Sequence, residues 1–278
     1  MGALSILNNI SALQAENSLS TTQMGMNSTL QALSTGQRIN SGADDPAGLA
    51  IANGLQANVT ALTQSVQNAT DGVGMLQVAD GALSQITTLL NTAVSLATES
   101  STGTVSNSQR TALQAQFASI QAEITSIGTN TTYNGQAIFG ASANLQVYMS
   151  DSTTVGSLSV SVTMGAVSDA SLNGASIASD NLSSATSAQA ALADINSAIA
   201  GVALLRGTLG ATSNQLSSAT NVMNTQITNL QNAESGIMDA NMGVETSNLS
   251  KYSILEQTGI AALQQSNAMQ QNIVKLLQ

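Results

Sequence analysis

The stretch LSTGQRINSGADDPAGLAIA, Leu33 to Ala52, decides how this chain folds. It holds the sole proline of the sequence, Pro46, and it concentrates Arg38, Asp44 and Asp45 in a chain with only 5 basic and 15 acidic residues. Gly36, Gly42 and Gly48 punctuate it. Proline has no amide donor and disfavours helix in the residue before it. Helical patterns enter the stretch from one side and leave it on the other. It therefore reads as a structured joint between two long helices. Asp44, Asp45 and Pro46 are placed to start the second helix, where free amides and the helix dipole favour acidic residues and proline.

Upstream of the joint, Leu4 to Leu33 reads as a helix with two apolar faces. Ile6, Ile10, Leu13 and Met24 lie on one face, and Leu19, Met26, Leu30 and Leu33 on the other. Such a helix needs partners on more than one side. Downstream, alternate steps of four and three give Leu55, Val59, Leu62, Val66, Ala69, Val73, Leu76, Asp80, Leu83, Thr87, Leu90, Val94 and Ala97. That is an apolar seam of about six heptads, broken only by Asp80 and Thr87. A second seam, Met75, Ala79, Ala82, Ile86, Leu89, Ala93 and Leu96, overlaps it and predicts a bundle over the distal half.

A turn over Ser100–Ser106 precedes a third helix, capped by Asn107 or Ser108, with the seam Leu113, Phe117, Ile120, Ile124 and Ile127. Gly128 is placed to end it. The period then changes to two: Leu145, Val147 and Met149, then Leu158, Val160, Val162 and Met164, predict a β-hairpin. Asn134-Gly135 is a tight-turn signal. Ser168–Ser187, rich in small residues, reads as a surface connection. Helix resumes near Ala188 and keeps the four-three step to Ile237, with Arg206 on the seam and Gly201, Gly207 and Gly210 inside it. Each glycine costs about 1 kcal/mol there unless it admits close packing. Arg206 is placed to pair with Glu123 or another acid across the bundle. The last helix is again two-faced: Leu249, Tyr252, Ile260, Leu263, Val274 and Leu277 on one side, and Leu255, Met269, Ile273 and Leu276 on the other.

The expected fold is mainly α: a long antiparallel coiled-coil or helix bundle formed by the N- and C-terminal segments, with a small β-hairpin in the middle. The expected divisions are 1–38, 39–130, 131–187, 188–240 and 241–278. A net charge of −10 with five basic residues argues against nucleic acid. With no His or Cys, thiolate metal sites and histidine general bases are excluded. Asp44-Asp45 lacks the spacing of an EF-hand, so neither a metal, a cofactor nor an enzyme activity is expected. No run of eighteen apolar residues predicts a membrane span, and no basic residue precedes Arg38 to suggest a Sec-type signal peptide.

Taken together, the motifs resemble those of bacterial flagellin, the subunit of the flagellar filament. Leu33–Ala52 resembles the family signature LSSGxRINSAKDDAAGxAIA, with Ala43 and Pro46 at positions where the family carries Lys and Ala. The NATDG of Asn68–Gly72, the DGAL of Asp80–Leu83, the IQAEI of Ile120–Ile124 and the TYNG of Thr132–Gly135 resemble further family segments in the correct order. So do Glu245–Ser250, Ile254–Gly259 and Gln264–Asn267.

The resemblance implies a minimal subunit, an inner coiled-coil domain from the two termini and one rod-like outer domain, that self-assembles into an extracellular filament for motility. An alternative is a hook–filament junction protein of the same superfamily. It implies export through the flagellar type III channel without a cleaved signal peptide, an export chaperone on the C-terminal helix, and hook-associated and cap proteins as partners. The expected subunit contacts are Ile6, Ile10, Leu13, Leu30, Leu33, Arg38, Asp44, Asp45, Leu249, Leu255, Ile260, Leu263, Ile273 and Leu277. An innate Toll-like receptor reads a QRVREL segment in family members. Here that segment is Asn91–Leu96, with Thr92 at the arginine position; Leu96 and Glu123 match, both arginines are absent, and weak recognition follows.

Overall fold

The computed structural model describes residues 9–140, 144–149 and 158–276. Among the described residues there are five helices: α1 Ile10–Thr35, α2 Pro46–Ser101, α3 Asn107–Asn130, α4 Ala185–Met238 and α5 Met242–Leu276. Three antiparallel strand pairs lie between α3 and α4: β1 Thr132–Tyr133 with β2 Gln136–Ala137, β3 Asn144–Met149 with β4 Leu158–Thr163, and β5 Val167–Ser168 with β6 Ser171–Leu172. The chain divides into two compact units, Met1–Ala57 with Asn229–Gln278, and Asn58–Thr228. The division falls inside α2 and α4. The first turns of α2 stay with the last turns of α4: with its amide turned to donate, Gln56 lies 2.9 and 3.1 Å from the Glu234 carboxylate oxygens.

In the first unit α1 and α5 pair antiparallel, their partner numbers falling as the chain's rise. Asn9 caps α1, its Oδ1 accepting from the Ala12 amide at 3.0 Å, and it also accepts from the Ser266 hydroxyl at 3.1 Å. Leu19 abuts Gly259, and Tyr252 lies so close to Gly25 that a Cβ there would stand 2.6 Å from its Cζ.

In the second unit the predicted seams are the core. Val59, Leu62, Ala69, Leu76, Leu83, Leu90 and Ala97 of the first α2 seam are buried, as are Ala79, Ile86, Ala93 and Leu96 of the second. Leu113, Phe117, Ile120 and Ile124 of α3 and Ile195, Val202, Leu209, Leu216 and Met223 of α4 are buried with them. By composition α4 contains an 18-residue window of mean hydropathy 1.4, apolar enough to cross a membrane. Its seam residues Ile195, Val202, Leu209, Leu216 and Met223 are buried in this core.

Three local expectations change. Ser106, not Asn107 or Ser108, caps α3, forming a capping box in which the Gln109 amide and the Ser106 amide are each satisfied by the other's side chain. The helix runs through Gly128 to Asn130, because the glycine there answers packing rather than termination: a Cβ would fall 1.7 Å from the Val167 carbonyl oxygen. Ser168–Ser187 is not merely a surface connection. Within it Leu172, Ile177 and Leu182 are completely buried, and Leu182 accepts a 2.7 Å hydrogen bond from the Ser100 hydroxyl. Gly201 supplies the room, since a Cβ there would meet the Leu172 carbonyl oxygen at 2.4 Å; Gly207 and Gly210 have open space and answer no close contact.

The central hairpin that the period of two predicts is present, with Val147 opposite Val160. Asn134 and Gly135 both take positive φ, 50° and 78°, and close β1 on β2 in the tight turn their pair signals. The loop between β3 and β4, Ser150–Gly156, lies outside the described residues.

Candidate assembly interface

The joint begins where α1 ends. Gly36, with φ 74°, terminates the helix in the left-handed conformation and returns its amide to the Ala32 carbonyl at 2.9 Å. The chain then pairs with the break between α4 and α5. Gln37 bridges Asp239, the Arg38 amide donates to the Met238 carbonyl at 2.6 Å, and the Ala240 amide donates to the Gly36 carbonyl at 2.9 Å. The joint near Pro46 and the break between α4 and α5 are thus one structure made from both ends of the chain.

Arg38 adds its side chain to this pairing. One guanidinium nitrogen donates to the Ile237 carbonyl at 2.8 Å. That oxygen belongs to the last turn of α4, where carbonyls lack helical partners and the dipole is negative, so a cation there is favoured.

Asp44 and Asp45 divide the work assigned to them together. Asp45 is the cap of α2: its Oδ1 accepts from the Gly48 amide at 2.9 Å, with Pro46 as the first helical residue. Asp44 does not cap the helix. It faces back, and its Oδ2 accepts from the Asn40 amide at 3.0 Å, the Ser41 amide at 2.8 Å and the Ser41 hydroxyl at 3.0 Å. Those donors, the Asn40 amide foremost, hold its pKa below the ordinary carboxylate value.

The two faces of the terminal helices separate, apart from Leu30 and Ile260. On α1, Leu19, Met26 and Leu33 are half-buried towards α5, while Ile10, Leu13 and Met24 are 68%, 58% and 63% exposed; Leu30, predicted with the first group, is exposed as well. On α5, Leu249, Tyr252 and Leu263 are half-buried, whereas Leu255 and Met269 are exposed, and Ile260 departs from its face to join them. Met242, Val244 and Ile254 extend the exposed apolar surface. Ile6 and Leu277 lie outside the described residues, as does the side chain of Ile273 on α5. In the receptor-equivalent region Thr92 and Glu123 are at the surface and Leu96 is buried.

Two polar pairs in the second unit correct or extend the sequence reading. Arg206 pairs with Asp80, not with Glu123. Both residues interrupt apolar seams, and that coincidence is the signal that could have matched them. Asp180 sits beside Asp194 with its Oδ2 buried and unpartnered, and burial, then the Asp194 carboxylate, push its pKa up to about 6. No pattern in the sequence marks that pair.

Two sequence profiles match this chain: that of the bacterial flagellin N-terminal helical region over residues 6–144, and that of the bacterial flagellin C-terminal helical region over residues 192–277. The flagellin of Listeria monocytogenes is 31% identical over 284 residues, covering 97% of this chain and 98% of its own. The flagellar filament 31.3 kDa core protein of Treponema maltophilum is 27% identical over 286 residues, covering 98% and 99%. The crystal structure of Bacillus cereus flagellin aligns with 56% of this chain and 88% of its own, at 21% identity and a TM-score of 0.48.

Proposed function

This chain belongs to the bacterial flagellin family, and from that membership we propose how it serves as a structural subunit of the flagellar filament: copies polymerise by laying the outward faces of α1 and α5 against their neighbours. The observation that carries this reading is the row of exposed apolar residues on those helices, Ile10, Leu13 and Met24 on one and Ile254 and Met269 on the other. A patch of this kind on a helix pair marks an interaction site. A head-to-tail contact between such faces leaves an open helical assembly. The full-length relatives named as flagellin and filament core protein favour this over a hook–filament junction protein.

In this reading the unit made from the two termini is the filament core and the unit of Asn58–Thr228 is the rod-like outer part. The subunit leaves the cell through the flagellar export channel, with α5 as the chaperone-binding segment and the hook-associated and cap proteins as neighbours at the filament ends. Recognition by the innate receptor is weak, supported by Thr92 standing where activating relatives carry arginine and by the burial of Leu96. No catalytic role is assigned.

Negative-stain microscopy of the purified protein, with and without filament seeds, tests the polymerisation. Full-length protein forms long filaments. Leu13→Asp and Ile254→Asp, each on an exposed face, abolish them while leaving the helical circular dichroism of the monomer intact. Filaments of normal length from both variants would sink the proposal.

A further inference from the structure

The 10 methionines hold all the sulfur of this chain, which has no Cys, and no His or Trp either, so a mild oxidant finds thioethers as its principal targets. Their placement is uneven. In the unit of Asn58–Thr228, Met149, Met164 and Met223 are buried and Met75 is half-buried. In the unit made from the two termini, Met24, Met242 and Met269 are 63%, 49% and 58% exposed, and Met26 and Met238 are half-buried. Every strongly exposed methionine among the described residues therefore belongs to the terminal helices.

Two of these three lie within the outward apolar rows. Met24 shares its face of α1 with Ile10 and Leu13, and Met269 shares its face of α5 with Val244 and Leu255, each spaced by near-whole helical turns. Met242 opens α5 and is exposed beside the same surface. A thioether packs there as an adaptable apolar side chain. Unlike leucine, it can also take up oxygen. Its sulfur lone pair attacks one oxygen of a hydroperoxide, the O–O bond breaks and an S=O bond forms. The sulfur loses two electrons, and the remaining oxygen leaves as water or an alcohol with the proton. On a free subunit the new dipole points into solvent and costs the fold little. Covered by the apolar face of a neighbouring copy, it becomes a desolvated acceptor without a donor.

We propose that Met24, Met242 and Met269 make assembly sensitive to oxidation: a hydroperoxide converts them to sulfoxides in the free subunit and bars it from the filament, whereas in assembled subunits the same side chains are covered and spared. This rests on polymerisation through the outward faces of α1 and α5. The conversion is reversible by sulfoxide reductases, so an excluded subunit is recoverable.

Seeded growth of the full-length chain after hydrogen peroxide treatment tests this, with filament yield read by sedimentation and sulfoxides located by peptide mass mapping. Sulfoxide forms at Met24, Met242 and Met269 before Met149, Met164 and Met223. Helical circular dichroism is retained, and filament yield falls about tenfold or more, as burial of unpaired acceptors implies. Dithiothreitol with reductases for both sulfoxide epimers restores growth. Preformed filaments given the same dose keep the three thioethers. In a chain carrying Met24→Leu, Met242→Leu and Met269→Leu, the ratio of treated to untreated yield rises towards unity, while Met75→Leu leaves that ratio as in the wild type. Undiminished growth of the oxidised wild type would overturn the proposal, as would inhibition that persists in the triple variant or survives the reductases. If the triple variant does not grow at all, rescue of the oxidised wild type by the reductases decides the question. Failure of the untreated wild type to polymerise would remove the assembly reading itself, and this proposal with it.

Discussion

Arg206 of α4 grips Asp80 of α2 with two hydrogen bonds, Nε to Oδ1 at 2.7 Å and Nη2 to Oδ2 at 3.2 Å. Each residue replaces an apolar residue in its own heptad seam, and the two replacements meet. The bidentate geometry favours one axial register between the helices, because a slip by one heptad would part the two charges, setting Arg206 against Val73 or Thr87 and Asp80 against Ile199 or Ser213. Both side chains keep substantial contact with water, 38% and 46% exposed, so the pair contributes more to register than to stability.

A double-mutant cycle on this pair yields a coupling of about 0.5–1 kcal/mol, the range of an exposed ion pair. Replacing both residues by leucine preserves or raises the melting temperature, since apolar substitutes extend both seams. Arg206→Leu alone is the less stable single-site result, leaving Asp80 unpaired. Urea titrations followed by circular dichroism measure all three. A coupling above about 3 kcal/mol would mean that the pair acts as a buried one.

Glycines within the helices separate into two classes. Gly128→Ala and Gly201→Ala drive a methyl into a backbone carbonyl and cost about 2–3 kcal/mol each. Gly207→Ala and Gly210→Ala enter open space and stabilise α4 by up to about 1 kcal/mol each. Thermal melts of the four variants rank them, and equal effects across the set would refute the packing account.

Asp180 makes the second unit sensitive to pH near neutrality. Its carboxyl is raised from 3.8 to about 6 by burial and by Asp194, so the folded state holds a proton that the unfolded chain has released. The stability linked to that proton is fully present below about pH 3.8 and is lost as pH rises through about 6. Asp180→Asn therefore raises the melting temperature more at pH 7.5 than at pH 4, and the wild-type decline around pH 6 disappears from the variant's profile.

At the joint the sign is opposite. Asp44 is held below its ordinary value by the Asn40 and Ser41 donors, so its contribution is present above about pH 3.8 and vanishes as pH falls through the lower folded pKa. Asp44→Asn flattens that acid limb. Asp45→Ala removes the cap of α2 and costs about 1 kcal/mol. Amide exchange at Asn40 and Ser41 for the first variant, and at Gly48 for the second, localises each loss.

Much of this molecule was legible along the chain. The alternating steps of four and three put Leu62, Leu76, Leu83 and Leu90 on one line of α2, and all are buried. The period of two marked β3 and β4 as paired strands, Asn134-Gly135 made the turn between β1 and β2, and Pro46 marked the start of α2. These features depend on neighbours within a turn or two, where residue chemistry and backbone geometry act directly. What needed the tertiary structure was partnership between distant residues: Arg206 with Asp80, Arg38 with the end of α4, Gly128 with the Val167 carbonyl, and Leu172, Ile177 and Leu182 filling space beneath a stretch that reads as polar. A periodic pattern states which face of an element is apolar. It does not state which element covers that face or at what axial offset, because those depend on how several faces close on one another at once.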